Sequence, residues 1–133
     1  MGRAETIFRS HVVKALSPLL AFPVENSVGE PGVPDVCCLA GWLELKVVTK
    51  VTTQDAILRV DVRPAQRVWM RNWRSQGGPG WFLTKVPGLV MLHDGVWAAE
   101  YLGDVSYRET VSRSQWCACK LEGLIEALTD RSR

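Results

Sequence analysis

Apolar residues near the start of the chain recur at the spacing of an α-helix. The repeat runs through Phe8, Val12, Ala15, Leu16 and Leu19. Such a stripe predicts a first helix over residues 5–21 with one face in the core, and Pro18 is expected to bend or end it. A short extended segment is predicted for residues 22–25, and the glycine- and proline-rich residues 28–33 are predicted to form a loop.

Two apolar runs follow that loop, and the pattern changes from helical to alternating. Residues 35–39 and 42–48 are separated by the short turn Ala40-Gly41, which predicts a β-hairpin. Side chains two apart on a strand share a face. Glu44 and Lys46 are therefore expected on one face, and Asp35, at the start of the neighbouring strand, is expected to reach the same patch.

The middle of the chain contains a second helix. Residues 49–55 are polar and predict an exposed loop, in which Lys50 is suited to contact phosphates. Residues 56–62 alternate weakly and fit either a strand or an extended lead-in. Pro64 suits the first turn of a helix, which is predicted to run to about Gln76 because two glycines follow.

The last third of the chain is predicted to be mostly strand and to finish with a helix. The expected elements are strands over 80–86 and 88–92, a tight hairpin turn at Asp94-Gly95, a strand over 96–102, a loop over 103–112 and a helix from Ser114 to Thr129. Helices and strands in this order predict an α/β fold with a central mixed β-sheet flanked by helices. We expect one domain over residues 1–133, with a core of about residues 3–86 and a C-terminal addition over 87–133.

Composition narrows the class of protein without naming a function. The formal net charge is only +2, so any affinity for nucleic acid must come from local clustering of charge. No stretch has the ~20 apolar residues that would span a bilayer, and the first residues lack a signal-peptide core. A cytoplasmic protein is the expectation. The four cysteines form two close pairs, Cys37/Cys38 and Cys117/Cys119, and we expect buried free thiols.

Arginines gather on one face of the second predicted helix. Their spacing is four, four and three residues, at Arg63, Arg67, Arg71 and Arg74. No acidic residue lies between Pro64 and Gln76 to pair with them within the helix. Because guanidinium binds phosphate through two hydrogen bonds, the pattern favours contact with a nucleic-acid backbone. A solvated surface is the alternative.

The residues Asp35, Glu44 and Lys46 allow two interpretations. The first is an ordinary surface ion pair between Glu44 and Lys46. The second is a metal site, because Mg²⁺ takes oxygen ligands and is often bound by one or two carboxylates. Glu5 is similarly open: it lies on the apolar stripe, where a carboxylate is costly unless paired or metal-bound, but it also lies in the first helical turn, where it suits the helix dipole.

The spacing in this region resembles a known nuclease signature. Pro34-Asp35, eight intervening residues and Glu44-x-Lys46 are similar to the PD-(D/E)xK motif. The chain most resembles stand-alone phage and bacterial VRR-NUC domains and, more loosely, Holliday junction resolvases. The resemblance covers about residues 5–86. It implies a restriction-endonuclease-like core, whereas the region from Gly88 onward matches no motif of the family.

The resemblance also implies roles for individual residues. Asp35, Glu44, the Leu45 carbonyl and Glu5 would bind Mg²⁺ or Mn²⁺, Lys46 would be the catalytic lysine, and Gln66 would lie beside the site. The implied activity is structure-selective, sequence-nonspecific cleavage of branched or flapped DNA in replication and repair. The resemblance further implies a homodimer in a bacterial cell or a phage-infected host, without membrane contact or a small-molecule cofactor.

Two other functions remain open on the sequence. A nucleic-acid-binding protein could keep this fold without cutting. A small scaffold could instead work only through protein contacts, with Glu44 and Lys46 as a surface salt bridge and the arginines facing an acidic partner. The metal-dependent nuclease is the interpretation that the resemblance favours.

Overall fold

A single six-stranded sheet organises the chain. In the computed structural model the described residues are 2–25, 31–51 and 53–130. Residues 28–30 of the predicted loop over 28–33, the two residues before them, and Thr52 of the predicted phosphate-contacting loop lie outside them. The strands are β1 (Phe22–Pro23), β2 (Val36–Cys38), β3 (Gly41–Val47), β4 (Gly80–Val86), β5 (Leu89–Asp94) and β6 (Trp116–Ala118).

The strands lie side by side in sequence order, and one pair is parallel. β3 pairs parallel to β4, whereas every other neighbouring pair is antiparallel. A parallel pair needs a crossover connection, and residues 48–79 provide it with helix α2 (Pro64–Ser75). The predicted α/β class and mixed sheet flanked by helices are therefore confirmed, in an arrangement consistent with a restriction-endonuclease-like core.

Helices cover both faces of the sheet and create two apolar clusters. On one face, α1 (Arg3–Ala15) and α5 (Leu124–Thr129) pack against side chains of β3, β4 and β5. Leu43, Leu83 and Leu92 are fully buried there. On the other, α2 and α3 (Gly95–Tyr101) cover a cluster that includes Phe82 and Met91. This second face is the one that carries Glu44 and Lys46.

The first half of the chain follows the predicted pattern closely. The hairpin of β2 and β3 is confirmed, with Cys37 opposite Trp42. The second helix begins at Pro64 as predicted and ends at Ser75. The first helix is shorter than predicted because it stops at Ala15, and a separate 3-10 turn, Ser17–Leu19, contains Pro18. Residues 58–63 form neither a helix nor a strand, and the Val62 N–H donates to the Val60 carbonyl at 2.9 Å in a tight turn. Ile57 makes an isolated bridge to Ser106.

The predicted elements after β5 were wrong in four places. Asp94-Gly95 is not a hairpin turn: the Asp94 carboxylate accepts from the Val96 N–H at 2.9 Å and caps α3, so residues 96–102 are not a strand. The predicted loop over 103–112 contains helix α4 (Tyr107–Ser112), capped by Ser106. The predicted helix from Ser114 is replaced by β6 and the short α5.

The cysteines are free but less buried than predicted. Cys37 and Cys38 are half-buried. Cys117 and Cys119 are exposed because Cys117 lies in the edge strand β6 and Cys119 directly follows it, where a helix was predicted. Burial and the neighbouring Cys38 raise the pKa of the Cys37 thiol. Among the described residues, the helices are all too short or too polar to cross a membrane.

Candidate metal centre

Two carboxylates meet where strand β2 begins. The ladder between β2 and β3 ends with Val36 opposite Leu43, so Asp35 and Glu44 come next on the two strands. The Asp35 side chain accepts a hydrogen bond from the Leu45 N–H at 2.9 Å, which holds it against β3. The structure therefore brings together the two acidic residues that the alternation predicted on one face.

The Glu44 carboxylate is buried and only half satisfied. Its side chain is 4% exposed. Oε2 accepts from Gln66 Nε2 at 2.9 Å and lies 3.6 Å from Lys46 Nζ, whereas Oε1 is buried with no hydrogen-bond partner among the described residues. Buried polar atoms normally have partners, so an orphaned carboxylate oxygen indicates a proton or a cation. Glu44 and Lys46 do form an ion pair at 3.6 Å, but their side chains are only 4% and 13% exposed, which excludes a solvated surface pair.

The environment of Glu44 favours binding of a positive partner. Burial raises its pKa well above the ordinary value, the nearby Asp35 raises it further, and the Lys46 ammonium opposes both. At neutral pH the Glu44 carboxylate therefore holds a proton more readily than an isolated carboxylate would. A divalent cation would compete with that proton.

The Lys46 ammonium donates hydrogen bonds to two oxygens, one from the segment before α2 and one from the first turn of α2. Nζ donates to the Asp61 carbonyl at 2.6 Å and to Gln66 Oε1 at 2.8 Å. Gln66 Oε1 also accepts from the Arg63 N–H at 2.9 Å at the start of α2. Gln66 therefore bridges Glu44, Lys46 and the helix end. The Asp61 carbonyl was missed at the sequence level, because a backbone acceptor leaves no side-chain signal.

The residues present fit a divalent cation through oxygen ligands. The Glu44 Oε1 atom and the Asp35 carboxylate would provide two oxygen ligands. The backbone carbonyl of Leu45 would provide a third on the same side of β3. The N–H and C=O of one strand residue point to the same side, so the Leu45 carbonyl points toward Asp35, beyond the last β2 pair. A carboxylate pair with water completes many Mg²⁺ sites.

Glu5 does not join the carboxylate pair in the way expected. It lies in the first turn of α1 and lines the same cleft. However, within the part of the chain that the structure describes, no three His, Cys, Asp or Glu side chains come close enough to hold one ion. The Glu5 carboxylate instead turns back over Gly2. The expected third carboxylate ligand is thus nearby but not in the group.

An open cleft of about 710 Å³ gives access to these groups. One wall is the loop before Asp35, where Gly32 has a φ of +85° and packs so closely on the Ala65 backbone that a side chain would collide with it. The ionisable residues in its lining are five acids and three bases: Glu5, Glu25, Asp35, Glu44, Asp61, Arg9, Lys46 and Arg63.

Three of the four arginines on this face have partners in or next to α3. Arg67 donates to the carbonyls of Ala98, Ala99 and Leu102 at 2.8–3.4 Å. Two more arginines pair with acids of the α3 region: Arg74 with Asp94 at 3.0 Å and Arg71 with Glu100 at 3.5 Å. The absence of acids within α2 is explained by these partners and by Asp104, 3.6 Å from Arg67, which all lie 20 to 37 residues away along the chain. The fourth arginine, Arg63, lines the cleft. Lys50, the other residue predicted to contact nucleic acid, is exposed outside the cleft.

Arg67 is expected to stabilise the fold. Arg67→Ala should lower the free energy of unfolding by about 2–3 kcal/mol, because three carbonyls of buried residues lose a charged donor. Arg71→Ala is the matched control: Arg71 is 54% exposed, and its loss should cost no more than about 0.5 kcal/mol. Urea unfolding measures both. Equal effects would contradict the structural role of Arg67.

Glu44 is expected to make stability depend on pH in an unusual direction. Its folded-state pKa is raised, so its contribution is full below the unfolded-state pKa and is lost as pH rises through the folded-state pKa. Without divalent ions, Glu44→Gln should therefore gain stability relative to the wild type as pH rises, on the order of 1 kcal/mol at pH 8. Urea unfolding from pH 5 to 8 measures this, with the exposed Glu100→Gln as control. A loss of stability of Glu44→Gln relative to the wild type as pH rises would refute the raised pKa.

Comparison of the chain with protein-family models, curated proteins and solved structures finds no significant match in any of the three. The nuclease resemblance therefore depends on the motif and on the geometry described above.

Proposed function

We propose that this protein is a divalent-metal-dependent endonuclease that hydrolyses phosphodiester bonds in nucleic acid. The observation that carries the proposal is the Glu44 carboxylate, buried beside Asp35 with one oxygen unpaired and Lys46 alongside, at the floor of an open cleft. Carboxylates with a neighbouring ammonium suit phosphoryl chemistry, because the reaction needs a cation, a positioned water and stabilised negative charge.

Asp35 and Glu44 would hold Mg²⁺ or Mn²⁺, with the Leu45 carbonyl as a further ligand. When bound, the ion would polarise the phosphate and lower the pKa of a bound water. The Asp35 carboxylate keeps its position through the Leu45 N–H. Glu44 is oriented by Gln66, which holds Oε2 and leaves Oε1 directed away from the hydrogen bond.

Lys46 would act as a fixed positive charge. Its ammonium donates to Asp61 and Gln66 and faces Glu44 Oε2 at 3.6 Å. An ammonium has no lone pair with which to accept a proton, so we assign Lys46 to stabilising charge on the phosphate in the transition state. Gln66 is a positioning residue, because it contacts Lys46 and Glu44 rather than the cleft's centre.

The charge of the cleft supports dependence on a metal. Its lining has two more carboxylates than cationic side chains, and a phosphate would be repelled from such a surface. A bound divalent cation would reverse the local sign and convert the cleft into a phosphate site. This argument favours an enzyme over a non-catalytic binder, since three of the four α2 arginines already have partners inside the chain.

The proposal is tested by incubating the purified protein with labelled single-stranded, duplex, flapped and branched DNA. We expect products with Mg²⁺ or Mn²⁺ and none with EDTA, and the activity should co-elute with the protein on a sizing column. Binding that resists EDTA without any products would instead identify a nucleic-acid-binding protein that does not cut.

A further inference from the structure

A row of side chains next to the carboxylates forms an aromatic surface. Phe22 on β1, Cys37 on β2 and Trp42 on β3 are direct partners across the three strands. Trp42 and Cys37 lie two residues from Glu44 and Asp35 respectively, so the row shares their face of the sheet. We call Phe22, Cys37 and Trp42 the aromatic shelf.

The shelf is supported on one side and open on the other. The Trp42 ring packs against Trp69 and Trp73 of α2, with ring centroids 5.5 and 6.2 Å apart. Phe22 lies two strands away, beyond the cover that α2 provides, and is 53% exposed. The exposed Phe22 ring and the half-buried Trp42 indole, with Cys37 between them, form a surface suited to a flat aromatic ligand.

The shelf lies two residues along the strands from the carboxylates, a span of about 6.6 Å. Within a duplex each base is stacked between its neighbours, so an aromatic side chain can stack on a base only after that base has left the helix. A phosphate at Asp35 and Glu44 would therefore place a base over the shelf only where the strand is unpaired.

We infer that the aromatic shelf binds an unpaired nucleobase next to the phosphate that is cleaved, so that the substrate is a single strand or a flap. This inference rests on the proposed function and names the substrate class for that site. Aromatic rings stack on every base, so the contact would not depend on sequence. It would select unpaired strands without reading them.

The shelf is less suited to a protein strand than to a base. β1 is the edge of the sheet and has only two residues, one of which is Pro23. Proline lacks the N–H that strand addition uses, and the Val24 N–H is already donated inward to the Asp35 carbonyl at 2.8 Å. The shelf also borders the cleft, because Val24 and Asp35, two residues from Phe22 and Cys37 along their strands, line the cleft.

Phe22→Ala tests the inference by comparing substrates with and without a base. On a flap with a mapped cut site, it should lower kcat/KM about 5- to 150-fold, the range that loss of one stacked base produces. On the same flap with one abasic nucleotide beside the cut, Phe22→Ala should have little further effect, because ring and base belong to one contact. Phe22→Trp should retain activity.

Tyr101→Ala is the matched control, since Tyr101 is an aromatic residue of similar exposure on α3. It should behave as wild type on both substrates. Equal losses for Phe22→Ala with and without the abasic nucleotide, or no loss at all, would overturn the inference. A change in sedimentation with no change in base dependence would instead identify the shelf as a protein interface.

A binding measurement separates this inference from the proposed function. Fluorescence anisotropy of a labelled single strand, with Ca²⁺ in place of Mg²⁺ so that the strand stays intact, reports the shelf independently of cleavage. If the wild type prefers the single strand to its abasic analogue and Phe22→Ala loses that preference, the shelf is established even for a protein that does not cut. If cleavage occurs without that preference, the proposed function stands and the shelf inference fails.

Discussion

Asp35→Asn should abolish metal-dependent cleavage, with a loss on the order of 10³-fold or more. The amide retains an oxygen that accepts from the Leu45 N–H, so the hairpin should keep its geometry. The substitution removes the negative charge that would hold a divalent cation beside Glu44. Electrostatic stabilisation by a bound metal is worth several kcal/mol. Cleavage rates and the affinity for Mn²⁺ should therefore fall together.

The control for this substitution is Asp55→Asn, which changes an exposed carboxylate paired with Arg108 away from the cleft. It should leave cleavage within about twofold of the wild type. Circular dichroism and urea unfolding of Asp35→Asn verify that the protein is folded. Full Mg²⁺-dependent cleavage by folded Asp35→Asn would remove the basis of the proposed function.

Lys46→Met should separate metal binding from catalysis. The substitution keeps an unbranched stem but removes the ammonium that lies 3.6 Å from Glu44 Oε2. Loss of one fixed charge or donor in an active site typically lowers rates about 10²- to 10³-fold. Affinity for the cation should not fall, and it should increase slightly, because a neighbouring positive charge has been removed.

Cleavage under single-turnover conditions and calorimetric titration with Mn²⁺ measure the two effects. Lys85→Met is the matched control, because Lys85 is an exposed lysine on the adjacent strand β4 and lies over the Phe8 ring on the opposite face. Lys46→Met also removes the donor for Asp61 and Gln66, so stability should fall by about 1–3 kcal/mol. Weaker metal binding together with unchanged single-turnover rates would contradict the role proposed for Lys46.

Local sequence signals were sufficient for the first part of the fold. A two-residue alternation places Glu44 and Lys46 on one face of β3 whatever else the chain does. Pro64 and the glycine pair after Gln76 mark the ends of α2 in the same local way. The register of the β2–β3 hairpin then brings Asp35 beside Glu44, which is why the carboxylate pair could be predicted.

The region after β5 could not be predicted in the same way. Asp94-Gly95 is equally suitable for a hairpin turn and for a helix start, and the choice depends on distant residues. A side chain at Gly95 would collide with Met70 of α2 and the Gly80 carbonyl, so this close packing seats α3 against α2. Arg67 then donates to the Leu102 carbonyl at the end of α3, and Arg74 pairs with Asp94, the residue that caps the start of α3.

The sequence by itself determined which side chains share a strand face and which charges lie on α2, because both depend only on the periods of strand and helix. Only the tertiary structure decided that Glu44 is buried with an unpaired oxygen, that Gln66 and Asp61 clamp Lys46, and that most of the α2 arginines are occupied. These properties depend on α2 lying across the sheet and on α3 lying against α2. Burial and pairing are set by contacts between segments distant in sequence, which no local pattern encodes.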